Sequence, residues 1–155
     1  MKELAPLWNS SSKYRHTLDE LVQGNPDYKS PVDLHQAAWP LAVHALHHQQ
    51  EKLYQKLCEL TGTPRTAIGL EKALPAAAIG RVDTLFVDTR RPVFGRFEPA
   101  TAVVEIDGGA MVDRYDLLEI AIAETLSCHG NVYPLGTTAA ADKGPTEAAQ
   151  ALLRF

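Results

Sequence analysis

Five positions on one predicted helix hold three histidines: His44-Ala45-Leu46-His47-His48, with His35 before them and Glu51 after. On a helix His44 and His48 lie one turn apart, the spacing at which two imidazoles chelate a zinc ion. Hydrolytic zinc helices also carry a glutamate, placed after the first histidine in H-E-x-x-H or before the last in H-x-x-E-H. Ala45 and His47 occupy those two places here. Without the carboxylate, a metal-bound water has no base to take its proton. The cluster therefore reads as a solvated helix face. A small metal-dependent hydrolase using His44, His47 and His48 is the alternative.

Other chemistry-bearing residues are sparser. Cys128-His129 pairs a nucleophile with a base, but at a helix C-terminus, where the macrodipole disfavours a thiolate and adjacent side chains diverge. Lys143-Gly144-Pro145-Thr146 lacks phosphate-loop spacing, and Pro145 has no N–H for a phosphate. Asp107 and Asp113 flank a glycine loop and suit turn and cap roles. Arg81, Arg90, Arg91 and Arg96 form the strongest basic group, interleaved with Asp83, Asp88 and Glu98. If they converge, they could contact RNA or an acidic partner.

The elements that must position these residues belong to a chain of 155 residues, 45% apolar and 22% charged, enough for one globular core. The net charge of −4 weighs against a stand-alone nucleic-acid binder, since neutralising phosphates takes cations. No apolar run reaches the roughly 18 residues of a membrane helix, and the start has no signal-peptide core, so a cytoplasmic location is expected. Cys58 and Cys128 both fall in helical patterns and read as reduced, buried thiols, a disulfide between them being the alternative.

The central strand is Gly80–Asp88. Leu85-Phe86-Val87 is a consecutive apolar triplet, so both faces of the strand meet apolar surroundings, as in a sheet covered by helices on both sides. Gly80 suits the left-handed end of a preceding helix over 68–79. Upstream, an extended piece over 4–8 leads to a short helix over 14–22. Ser30-Pro31-Val32-Asp33 then opens a long helix to about Leu60, with Pro40 predicted to kink or break it. Leu46, Leu53, Leu57 and Leu60 form its apolar stripe. Downstream, residues 93–97 and 101–106 read as strands, 115–128 as an amphipathic helix, 132–135 as a strand and 137–145 as a loop. Residues 147–155 favour helix by propensity.

Ala76 to Val87, with its helix, glycine and Val-x-Thr-Leu-hydrophobic-Val run, resembles the C-terminal domain of class 1 peptide chain release factors and Pelota. It is more similar still to the bacterial archaeo-eukaryotic release factor family. Pro6-Leu7-Trp8, Gly24-Asn25-Pro26-Asp27, Leu34-His35-Gln36-Ala37-Ala38-Trp39, Asp116-Leu117-Leu118 and Leu152-Leu153-Arg154-Phe155 match its pattern in order and approximate spacing.

The resemblance implies a three-layer α/β/α sandwich with a mixed central sheet, related to kink-turn-binding ribosomal proteins. It turns the tail over 147–155 from helix to strand. It also implies that residues 1–155 are a single C-terminal domain and a fragment of a longer architecture. The Gly-Gly-Gln tripeptide that drives peptidyl-tRNA hydrolysis in release factors is absent, Gly108-Gly109 being followed by Ala110.

The implied role is therefore a non-catalytic module that docks on a translational GTPase or ribosomal component, with no cofactor. RNA is a partner that the net charge disfavours, and an open sheet edge would permit a homo-oligomer. Arg81, Arg90, Arg91 and Arg96 are the candidate contact residues. Their place on a hairpin after the central strand is similar to a small insertion in the release-factor domain.

Overall fold

Strand β2 (Val82–Val87) is an inner strand of the main sheet, and the chain buries it as the apolar triplet requires. Leu85, Phe86 and Val87 are each at most 1% exposed. The structure, a computed structural model, describes residues 18, 20–106, 115–135 and 147–155. The expected extended piece over 4–8, Asp107, Asp113, and the 137–145 loop with Lys143 lie outside the described residues.

The chain forms two compact units, Met1–Lys52 and Leu53–Phe155, and helix α1 (Pro31–Leu60) runs through the boundary. Within the first unit the N-terminus of α1 is capped as its sequence predicts. The Ser30 hydroxyl accepts from the Asp33 N–H at 3.2 Å, and the Asp33 carboxylate accepts from the Ser30 N–H at 3.2 Å. This reciprocal pair satisfies backbone donors that have no partner inside the helix. Pro40 does not break α1, which is continuous to Leu60. The helix expected over 14–22 is not seen at Leu18, Glu20, Leu21 and Val22, which are irregular. Leu18 and Leu21 are 42% and 46% exposed, and a short helix without burial is marginal in water.

In the second unit, β1 (Thr66–Ile68), β2, β6 (Asn131–Pro134) and β7 (Ala149–Leu153) form a mixed sheet ordered β1-β7-β2-β6. Strand β7 is antiparallel to both β1 and β2, and β2 is parallel to β6. Helices α2 (Leu70–Ala78) and α3 (Leu117–Ser127) cover one face, where Leu70, Leu74, Leu117 and Ala121 pack with Leu85, Val87 and Ala151. The last two turns of α1 cover the other face. Leu57 packs there with Phe86, Leu135 and Leu152, and Leu53, Tyr54 and Leu60 flank them. Three layers result, α/β/α, with β2 presenting alternate residues to the two helical layers. The tail is a strand, as the release-factor resemblance implies: all five residues of β7 are buried.

Both sheet-side helices end in the same way. Gly80 adopts φ +70°, its N–H bonds Ala77 O at 2.9 Å, and the Arg81 N–H bonds Ala76 O at 2.9 Å. His129 takes the equivalent left-handed place after α3 at φ 59°, and the Gly130 N–H reaches Thr125 O at 2.8 Å. These are Schellman closures that satisfy the last helical carbonyls.

Two boundaries and the burial of the cysteines differ from expectation. Thr66–Ile68 is a strand, because Gly69 at φ +91° starts α2 only at Leu70. Tyr115 and Asp116 are strand, and Asp116 caps α3 by accepting from the Leu118 N–H at 3.0 Å. Cys58 is exposed and Cys128 half-buried, both as free thiols, because Cys58 faces away from the core that its neighbour Leu57 enters.

Candidate docking face on the small sheet

Between β2 and α3 the chain builds a second sheet from β3 (Phe94–Glu98), β4 (Val103–Ile106) and β5 (Tyr115–Asp116), ordered β4-β3-β5 and antiparallel throughout. Alternation decides its two faces. Phe97, Val104 and Ile106 pack onto the main core. Gly95 lies buried among them because no side chain fits: a Cβ there would overlap the Glu105 carbonyl oxygen and approach Leu117 Cδ1 to 2.7 Å. The opposite face carries Phe94, Arg96 and Glu98 on β3, with Val103 and Glu105 on β4, all exposed. Register places Arg96 directly across from Glu105 and Glu98 across from Val103. Tyr115, on the short edge strand, is 66% exposed.

Arg96, Val103, Glu105 and Tyr115 line an open cavity of about 580 Å³. Phe97, Glu98 and Thr101 complete the described lining, so the recess mixes aromatic and apolar groups with three charged ones, as surfaces that meet another protein do. Among the described residues Arg96 forms no ion pair, so its guanidinium is available to a partner. Phe94 at 50% and Val103 at 47% exposed add apolar area beside it.

The other predicted arginines lie elsewhere. Arg81 precedes β2, where its Nη2 donates to the Phe155 carbonyl at 2.8 Å and its guanidinium lies 5.5 Å from the Phe155 ring centre. Arg90 follows β2 and forks onto Asp88, with Nε–Oδ1 2.8 Å and Nη2–Oδ2 2.9 Å. These hydrogen bonds hold the Asp88 carboxyl below the usual carboxylate range, against the opposing effect of its burial. Arg91 is exposed in the same turn. The six residues of β2 separate Arg81 from the Arg90–Arg91 turn by about 20 Å. The four therefore do not form one patch, and only Arg96 lines the cavity.

His44, His47 and His48 lie exposed on α1, with the rings of His44 and His48 parallel and 6.4 Å apart. Among the described residues no three His, Cys, Asp or Glu side chains converge in a metal-ligating group. Cys128 and His129 occupy the closure of α3, with His129 in left-handed backbone and the Cys128 carbonyl accepting from Arg154 Nη2 at 2.6 Å.

Phe94, Val103 and Tyr115 were not among the expected site residues. For Phe94 and Val103 the signal lies in alternation, since Phe94-Gly95-Arg96-Phe97-Glu98 puts two apolar types on opposite faces and only one face can meet the core; Tyr115 has no such signal, because register sets it opposite Gly95.

A family model described as bacterial archaeo-eukaryotic release factor family 3 matches residues 1–81. The chain belongs to that family. The match spans α1 through α2 and ends at Arg81, so the small sheet lies beyond it.

Among solved structures, the C-terminal domain of a peptide chain release factor from Methanosarcina mazei is similar, with TM-score 0.55 and 12% identity. That likeness covers 83% of this chain and 97% of that one, and it shows the shared fold. An archaeal translation termination factor aligns at TM-score 0.38 and 17% identity, over 80% of this chain and 30% of that one. No curated protein matches the chain. Among the described residues, no helix is long and apolar enough to cross a membrane.

Proposed function

We propose that this release-factor family member is a non-catalytic docking module of a translation-associated protein, binding a protein partner through the outer face of the small sheet. The observation that carries the reading is the cavity lined by Arg96, Val103, Glu105 and Tyr115, with Arg96 in no ion pair among the described residues. Aromatic and arginine side chains are the types that anchor protein interfaces. The face alternates signs, Arg96 against Glu98 and Glu105, and the whole chain carries −4, so it suits a protein surface better than a phosphate backbone. Family membership and the release-factor fold support a partner from the translation machinery, a translational GTPase or a ribosomal component.

The described lining offers one guanidinium, two carboxylates and the hydroxyls of Thr101 and Tyr115, groups that can anchor a partner by ion pairs and hydrogen bonds.

The test is capture from bacterial lysate by the tagged chain at low and high salt, read by mass spectrometry and RNA staining. We expect translational GTPase or ribosomal proteins to be retained, with retention reduced at least about tenfold by R96E combined with Y115A. Recovery of nucleic acid alone, or recovery indifferent to both substitutions, would refute the reading.

A further inference from the structure

The first unit carries a pair of side chains that the docking face does not absorb, His44 and His48 of α1. Both are exposed, their ring centres lie 6.4 Å apart, and the ring planes are parallel within 5°. Helix preference does not account for them. Glutamate, lysine and glutamine make a solvated helix face at lower cost than histidine, yet residues 44–48 hold three histidines. Side chains that would repel a cation are also kept away, since no lysine or arginine occurs between Ser30 and Glu51. Lys52, one turn beyond His48, is preceded by the carboxylate of Glu51.

We infer that His44 and His48 form a two-histidine site for a divalent ion of the late first-row transition metals, copper or zinc, which closes one turn of α1. Residues four apart are neighbours on a helix surface, and imidazole nitrogen suits these ions. A tetrahedral ion about 2.1 Å from one nitrogen of each ring sets the ring centres about 5 Å apart. The observed separation exceeds that by about 1 Å, which two exposed side chains supply by turning about their broad outer torsions. Water fills the remaining positions of the ion. Ala45 and His47 stand where a hydrolytic helix carries its glutamate, so the role inferred is a clamp.

Its place on the helix gives the clamp leverage. Pro40, one turn before His44, has no N–H to donate to the Gln36 carbonyl, which weakens the helical ladder there. Leu57 is the only buried residue of α1 among those described, so no fully buried side chain holds the stretch around the histidines. An ion bound across two successive turns stabilises the helical form it binds.

The test is calorimetric titration of the intact chain, first freed of metal by a chelator, with cupric chloride and with zinc chloride, alongside amide hydrogen exchange. One ion binds per chain, copper more tightly than zinc, and magnesium and calcium, which prefer oxygen ligands, do not compete. H44A and H48A each lower the affinity at least about tenfold, whereas H47A, about 100° round the helix from His48, changes it less than about twofold. The ion slows amide exchange over 44–48 in the wild type and leaves it unchanged in H48A. Failure of both ions to bind below about 1 mM overturns the inference. So does H44A or H48A binding as tightly as the wild type, H47A losing as much as H48A, or binding that leaves exchange over 44–48 unaltered.

Discussion

Asp88 and His129 are single residues with opposite energetic signs. The Asp88 carboxylate is 5% exposed and accepts three hydrogen bonds from Arg90, one from its backbone N–H and two from its guanidinium. Its folded pKa is depressed. The resulting stabilisation is therefore present above the unfolded value near 3.9 and is lost as pH falls through the folded one. D88N should cost about 1–2 kcal/mol at pH 7 in urea denaturation, the guanidinium partner being half exposed, and the gap to wild type should narrow below about pH 4. His129 runs the other way. Its left-handed backbone, φ 59°, is costly for any residue with a Cβ. H129G should raise stability by about 0.5–1 kcal/mol, read as a higher denaturant midpoint with unchanged slope.

At the level of elements, the small sheet depends on Gly95. Any side chain there meets the β4 backbone at Glu105 and the Leu117 side chain behind it. G95A should destabilise by about 3 kcal/mol or more and detach β3 from the core, seen as loss of amide protection over 94–106 while the β2–β7 pairing persists.

Some elements were legible from local pattern. The triplet Leu85-Phe86-Val87 announced a strand covered on both faces, and Ser30-Pro31 announced the start of α1. Strand β7 was not legible from composition, because Ala149–Leu153 favours helix by propensity. Its position between β1 and β2 buries all five residues and overrides that preference. Only the release-factor resemblance pointed the right way. The arginines illustrate the opposite failure: Arg81 and Arg90 are near in sequence, yet an extended strand holds them about 20 Å apart.

Across the whole molecule, the family match covers residues 1–81 and the fold is that of a release-factor C-terminal domain, while the proposed docking face lies on the small sheet beyond the matched residues. Sequence pattern could place a basic residue on a hairpin there. It could not show that Tyr115, some twenty positions on, would line the same cavity as Arg96, because that depends on an edge-strand pairing of only two residues. The central claim is that this face contacts the translation machinery. Its most direct test is a photo-crosslinking aromatic residue placed at Tyr115, with a control at the exposed Lys56 of α1. Illumination in bacterial lysate should link position 115, and not position 56, to a translational GTPase or ribosomal protein. Crosslinks from position 56 with none from 115, or none to any translation component from either, would contradict the account.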